Sequence, residues 1–179
     1  PPGRQLITTQ VFYEKQQDKA YELMESQMKQ GRQAFVVCPL IEESEVMDLK
    51  AAVTIFESIQ ERFPELSVCL IHGKLKKEER QKIMARFLKK EIKVLVSTTV
   101  IEVGIDIPNA TVMIIEHAER FGLAQLHQLR GRVGRGKHAS HCLLVSYLPI
   151  SEEGKARMRA MQTSRDGFDI AEEDLKIRG

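Results

Sequence analysis

Five short apolar, β-branched runs recur along this chain, at Ala34 to Cys38, Val68 to Ile71, Val94 to Ser97, Val112 to Ile115 and Cys142 to Val145. Each is bounded by polar or turn-forming residues, and unbroken apolar runs of this length suit strands buried on both faces. Between them the apolar residues switch to a helical spacing: Tyr21, Met24 and Met28; then Leu49, Ala52, Val53, Phe56, Ile59 and Phe63; then Ile83, Met84, Phe87 and Leu88. Strands alternating with crossover helices predict an α/β fold, a doubly wound parallel sheet with helices on both faces. Ligands of such sheets gather at the carboxyl ends of the strands. Pro39 and Leu40, His72 and Gly73, Thr98 and Thr99, and Glu116 each follow directly after a run.

At 179 residues and 42% hydrophobic content the chain has material for one domain, or one domain with an appendage. No apolar run approaches the roughly 18 residues of a membrane span, and PPGRQLITTQ lacks the apolar block of a secretory signal, so a cytoplasmic location is expected. Cys38, Cys69 and Cys142 lie in or beside apolar strand runs, with no CxxC or paired-histidine spacing. They read as reduced core residues, and no metal site is expected. The net charge of +2 says little, but its distribution is uneven: Lys74 to Lys93 holds nine bases against three acids. A polyanionic partner suits that stretch, as does the wet face of an amphipathic helix.

The second basic stretch is more specific. Arg120 to His138, RFGLAQLHQLRGRVGRGKH, carries five Lys or Arg and no carboxylate, with Gly-Arg pairs at Gly131-Arg132 and Gly134-Arg135. If the helical pattern from Leu123 continues, residues three apart share a face about 5–6 Å from each other, and the glycines leave that face open. Two guanidinia so placed are suited to a phosphate chain, because each is planar, permanently charged and bidentate toward phosphate oxygens. A solvated basic face explains the charge but neither glycine, each of which costs about 1 kcal/mol against alanine inside a helix.

The spacing QxxGRxGR, here Gln128, Gly131, Arg132, Gly134 and Arg135, resembles motif VI of superfamily 2 helicases and translocases. The longer string ERFGLAQLHQLRGRVGRG is similar to the RecG branch-migrating helicase family and, less closely, to the transcription-repair coupling factor. FVVCPLIEESE and His127 in LHQLRGR favour the RecG family. The resemblance implies a RecA-like second motor lobe over residues 11–150, an interlobe linker over 1–10, and a truncated start of a translocation-motif helical hairpin and loop over 151–179. It implies ATP with Mg²⁺ as cofactor, held mainly by a first lobe, and Arg132 and Arg135 as arginine fingers, with Gln128 beside them. Gly104, Asp106 and Gly131 would face the nucleotide, Asp106 accepting a ribose hydroxyl.

VLVSTTVIEVGIDIPNA, from Val94 to Ala110, is similar to motif V, which implies that Thr98 and Thr99 hold the DNA backbone and that Glu102 couples the two ligand sites. Hydroxyls and free amides there suit phosphodiesters, which they hold without reading sequence. Asp106 before Ile107-Pro108 equally fits an Asx-type turn. His72-Gly73 resembles a backbone-contacting motif, although a glycine after a strand also simply turns the chain. The tail DGFDIAEEDLKIRG resembles the translocation motif, with Arg157, Asp174 and Arg178 at matching positions.

Gly131 to Lys137 fits the spacing GxxxxGK of a phosphate loop, but His138 stands where serine or threonine should bind magnesium, and a helical pattern precedes it instead of a strand. With no such loop and no DExH-type acidic box, the chain is expected to be half a motor that hydrolyses no ATP alone. The parent is then expected to translocate on double-stranded DNA in fork reversal, branch migration, recombination and repair, with forks and Holliday junctions as partners beside its first lobe and a wedge domain. The fragment itself is expected to be monomeric, its parent bacterial and nucleoid-associated. A coupling-factor lobe, another superfamily 2 helicase and a non-catalytic nucleic-acid scaffold are the alternatives.

Overall fold

In a computed structural model, residues 7–40, 44–98, 106–163 and 174–178 are described. Six strands form one sheet in the order β1-β6-β5-β2-β4-β3, with every pairing parallel. They are β1 (Ile7–Phe12), β2 (Gln33–Val37), β3 (Val68–Ile71), β4 (Val94–Ser97), β5 (Ala110–Ile115) and β6 (Ser140–Val145). The helices are α1 (Gln17–Lys29), α2 (Glu45–Arg62), α3 (Lys77–Leu88), α4 (Leu123–Arg130) and α5 (Glu152–Thr163), with a 3₁₀ turn at Ala118–Arg120.

The five apolar runs are strands β2 to β6, and the central β2, β4 and β5 are buried along their whole length. Burial on both sides follows from the helices. Ala20, Met24 and Met28 of α1 and Ala52 and Ile59 of α2 cover one face. Met84 and Phe87 of α3, Leu123 and Leu126 of α4, and Met158 and Met161 of α5 cover the other. Each large side chain so removed from water contributes about 1.5–3 kcal/mol before its entropy cost.

Strand β1 begins earlier than the sequence suggests. Residues 7–10, assigned to the linker, are part of an edge strand paired with β6 from Ile7 opposite Ser140 to Phe12 opposite Val145. Thr8, Thr9 and Gln10 disguise it, because an edge strand is half wet and needs no continuous apolar run. At the amino edge of the sheet lies the buried Gln33, whose amide donates to the carbonyls of Phe87 and Ile92 at 2.6 and 2.7 Å. That bond set fixes the exit of α3 to the entry of β2.

The helix after the sheet is built into it. Met158 and Met161 of α5 are fully buried beneath β1 and α4, and Gly154 sits where a Cβ would lie 2.9 Å from Ile150 Cγ2. Beyond it, residues 174–178 form a short helical segment in which Ile177 packs on the same core.

Candidate nucleotide and nucleic-acid site

The expected extension of the arginine helix does not occur. Helix α4 stops at Arg130, and Gly131 closes it with its amide bonded to the His127 carbonyl at 3.1 Å. Val133 then dives into the core, fully buried, and Gly134 takes a left-handed φ of 77°. A β-branched side chain pulled inward and a glycine free to reverse the chain end the helix more favourably than continuing it. Arg132 and Arg135 therefore flank a turn, not one face of a helix, and their approach is set by Val133 and Gly134.

Arg135 folds back over that turn. Its Nε donates to the Gly131 carbonyl at 2.8 Å, and its Nη1 lies 3.4 Å from Asp106 Oδ1. Both partners stay wet, with side chains 37% and 65% exposed. Arg132 is half-buried, and among the described residues no carboxylate is paired with it. The segment carrying Asp106 is pressed against the arginine turn: a Cβ on Gly136 would sit 2.5 Å from the Pro108 carbonyl oxygen. Glycine at 136 is thus what allows two chain segments far apart in sequence to share one surface. Gln128 is exposed on α4, and Gly131 is half-buried at its end.

His72, Gly73 and Thr98 occupy a different place, directly after β3 and β4 at the carboxyl edge. His72 Nδ1 accepts the Lys74 amide at 3.2 Å, which leaves Gly73 at the tip with open space around its Cα. Thr98 is buried, its amide bonded to the Ile71 carbonyl at 3.3 Å, and its hydroxyl finds no partner among the described residues. Asp106 and Arg135, by contrast, lie on the segments that lead into β5 and β6. His72, Gly73 and Thr98 thus follow directly after strands as expected from the sequence, whereas Asp106 and Arg135 lie before strands. Thr99, Glu102 and Gly104 lie outside the described residues.

Sequence reasoning missed the residues that hold this surface in place. Arg130 is buried at the end of α4; its Nη1 donates to the Met161 carbonyl at 2.8 Å and reaches Thr9 Oγ1 at 3.3 Å, and its Nη2 lies 3.3 Å from His127 Nδ1. One cation thereby ties the arginine turn to α5 and to β1. Glu116, at the end of β5, accepts the hydroxyls of Tyr21 and Tyr147, each at 2.6 Å, and burial followed by that carboxylate's charge raises both phenols above their ordinary value. These groups line a hollow of about 240 Å³ between α1 and α2, where Arg62 is likewise paired with Asp18 at 3.0 Å. Its charges are satisfied within the chain. Nothing local marks such partners, which are 95 and 31 positions away from Glu116.

Glu119 accepts the Tyr147 amide at 2.8 Å and sits 3.5 Å from His117 Nδ1. Desolvation acts to raise its pKa, but those hydrogen bonds and the histidine's charge outweigh it and hold the carboxyl below the usual range. Arg157 Nη2 donates to the Glu119 carbonyl at 3.0 Å, and Asp174 and Arg178 pair with each other at 3.1 Å. The three are not brought to the arginine turn by any contact among the described residues. Burial pushes the thiols of Cys38 and Cys142 up to about 12, as befits inert core cysteines.

The sequence model of the helicase conserved C-terminal domain family matches residues 15–137. An ATP-dependent DNA helicase RecG from Synechocystis is 52% identical over 180 positions, covering all of this chain and 22% of that protein. The RecG of Bacillus subtilis is 47% identical, again over all of this chain and over 26% of its own length. A solved structure of RecG bound to a three-way DNA junction superposes with a TM-score of 0.83 at 45% identity, over 98% of this chain and 23% of that one. The chain spans about a quarter of the length of the curated relatives it matches.

Proposed function

Because the chain belongs to the helicase conserved C-terminal domain family, we propose that it is the second motor lobe of a RecG-type, ATP-dependent double-stranded DNA translocase acting on branched DNA. The observation that carries this reading is the arginine turn, where the exposed Arg135 stands beside the exposed Asp106 carboxylate and the half-buried Arg132 lies three residues before it. That donor and acceptor set fits a nucleotide seated on a neighbouring module: cations for the terminal phosphates, a carboxylate for a ribose hydroxyl.

In the hydrolysis itself a water oxygen forms a bond to the terminal phosphorus, the bond to the bridging oxygen of ADP breaks, and the water's proton passes to solvent or to a base on the first lobe. This lobe's contribution is electrostatic. Arg132 and Arg135 neutralise charge spreading over the phosphoryl oxygens, a role worth about 10³–10⁵ in rate. Gly131 keeps the approach open, and Gln128 stands on the same helix end to orient the water; Gly104 belongs to the same nucleotide-facing group. A divalent ion bound with the triphosphate would supply charge neutralisation and would be held mainly by the first lobe.

At the carboxyl edge, His72 and Gly73 hold phosphodiester oxygens, fixing register without reading bases, and the buried Thr98 and its sequence neighbour Thr99 belong to the same DNA-contacting set. Glu102, between Thr98 and Asp106 in the sequence, links the two ligands. Arg157, through the Glu119 carbonyl, and the Asp174–Arg178 pair carry lobe movement to the duplex.

The test is ATP turnover by a full-length protein carrying this lobe, with forked DNA, linear duplex and RNA, beside the 179-residue chain alone. The expected result is strong stimulation by forked DNA and negligible hydrolysis by the isolated chain. Equal or greater stimulation by RNA would move the lobe to an RNA helicase, and robust turnover by the chain alone would refute the half-motor reading.

A further inference from the structure

The arginine proposed to reach the nucleotide is already engaged. Arg135 is held from two sides, by the Gly131 carbonyl through Nε and by Asp106 through Nη1. The two arginines of the turn are therefore not equivalent: among the described residues only Arg135 has a carboxylate at hand. The contact is also not a chance meeting of long side chains. Gly136 lies so close to the Pro108 carbonyl that no Cβ fits, which brings the backbone two residues after Asp106 against the backbone one residue after Arg135.

Resting on the function proposed above, we propose that Asp106 is a positioning residue that holds Arg135 off the phosphate site until a nucleotide arrives, and then exchanges it. A guanidinium paired with a carboxylate through Nη1 alone leaves its other Nη for a second acceptor, and a triphosphate carries more charge and more acceptor oxygens than one carboxylate. When the ribose hydroxyl takes up Asp106, the carboxylate loses an acceptor position and the guanidinium moves to the phosphate. Seating the sugar thus releases the finger. An aspartate here serves two partners in turn, and the closed arrangement forms only with the nucleotide complete.

The size of the effect follows from exposure. A solvent-exposed ion pair is worth at most about 1 kcal/mol, which corresponds to about a fivefold change in the fraction of Arg135 that is released. An asparagine keeps an acceptor for the ribose hydroxyl and loses the charge that holds the guanidinium. In the full-length protein, Asp106→Asn is therefore expected to raise DNA-free ATP turnover two- to fivefold at ATP concentrations well below KM, with the gain disappearing at saturating ATP, where the nucleotide has already released Arg135. Raising salt from 50 to 300 mM should raise the DNA-free rate of the wild type toward that of the variant.

Arg135→Ala in the same assay separates this inference from the reading it rests on. Loss of turnover in Arg135→Ala, together with a DNA-free rate in Asp106→Asn that at ATP well below KM is equal to or below wild type at all salts, overturns the holding role and leaves the finger role standing. Undiminished turnover in Arg135→Ala overturns both. Because both side chains are exposed, folding is expected to survive, and the thermal midpoint of each variant checks it.

Discussion

The carboxyl edge of the sheet and the arginine turn are built on opposite plans. At the edge, His72, Gly73 and Thr98 are placed by strands β3 and β4, so their positions follow from the sheet itself. The arginine turn belongs to no strand. It is placed by side chains that reach into other elements: Val133 into the core, Arg130 to Met161 and Thr9, and Gly136 against Pro108. A surface fixed by the sheet is rigid, whereas one fixed by a few packed contacts can shift as a unit when those contacts are pulled. That division suits a motor in which one ligand is gripped and the other drives movement.

Substitutions at the two regions should then fail in different currencies. The largest effect is expected from Arg132→Ala in a full-length protein, a fall of about 10³-fold or more in DNA-stimulated ATP turnover with DNA affinity within twofold of wild type. Steady-state ATPase beside fluorescence anisotropy on forked DNA measures both, and a parallel loss of affinity would erase the distinction between the regions.

Next in size is Arg130→Ala in the 179-residue chain. The contacts of a buried cation to Met161, Thr9 and His127 are lost, and the carbonyl of Met161 is left without its donor, so the expected cost is about 2–4 kcal/mol of stability by urea unfolding. Gly136→Ala follows, at about 1–3 kcal/mol, since a methyl group must force the arginine turn away from Pro108. At the edge, His72→Ala is expected to weaken DNA binding several-fold, with turnover at saturating DNA near wild type.

The smallest effect is one of pH. Glu119 binds its proton more weakly folded than unfolded, so its charge stabilises the fold at neutral pH and that contribution is lost as pH falls through the carboxylate range. The stability gap between wild type and Glu119→Gln should therefore narrow from pH 7 to pH 3. A constant gap would mean that the Tyr147 amide bond, not the charge, is what Glu119 supplies.

Strands β2 to β6 were legible because burial on both faces demands unbroken apolar runs, and the residues just after them were legible with them. The edge strand β1 was not, since half of it faces water and Thr8, Thr9 and Gln10 look like loop. The arginine pair was found by its spacing and its glycines, yet its geometry was misread as helical. Leu123, Leu126 and Leu129 carry helical periodicity up to Arg130, and only tertiary demand on Val133 turns the chain. The bridging role of Arg130 and the two tyrosine partners of Glu116 were invisible for the same reason. Their roles depend on partners distant in sequence, and no local pattern distinguishes a buried bridging arginine from a solvated one.

The most direct measurement is a structure of a full-length protein carrying this lobe, bound to forked DNA, ADP and a fluoride mimic of the transferring phosphoryl group. The account predicts the guanidinia of Arg132 and Arg135 about 3 Å from the mimic, donating to its fluorides, with Asp106 on the ribose. Arg135 still paired to Asp106, and both guanidinia remote from a mimic seated on the neighbouring lobe, would contradict it.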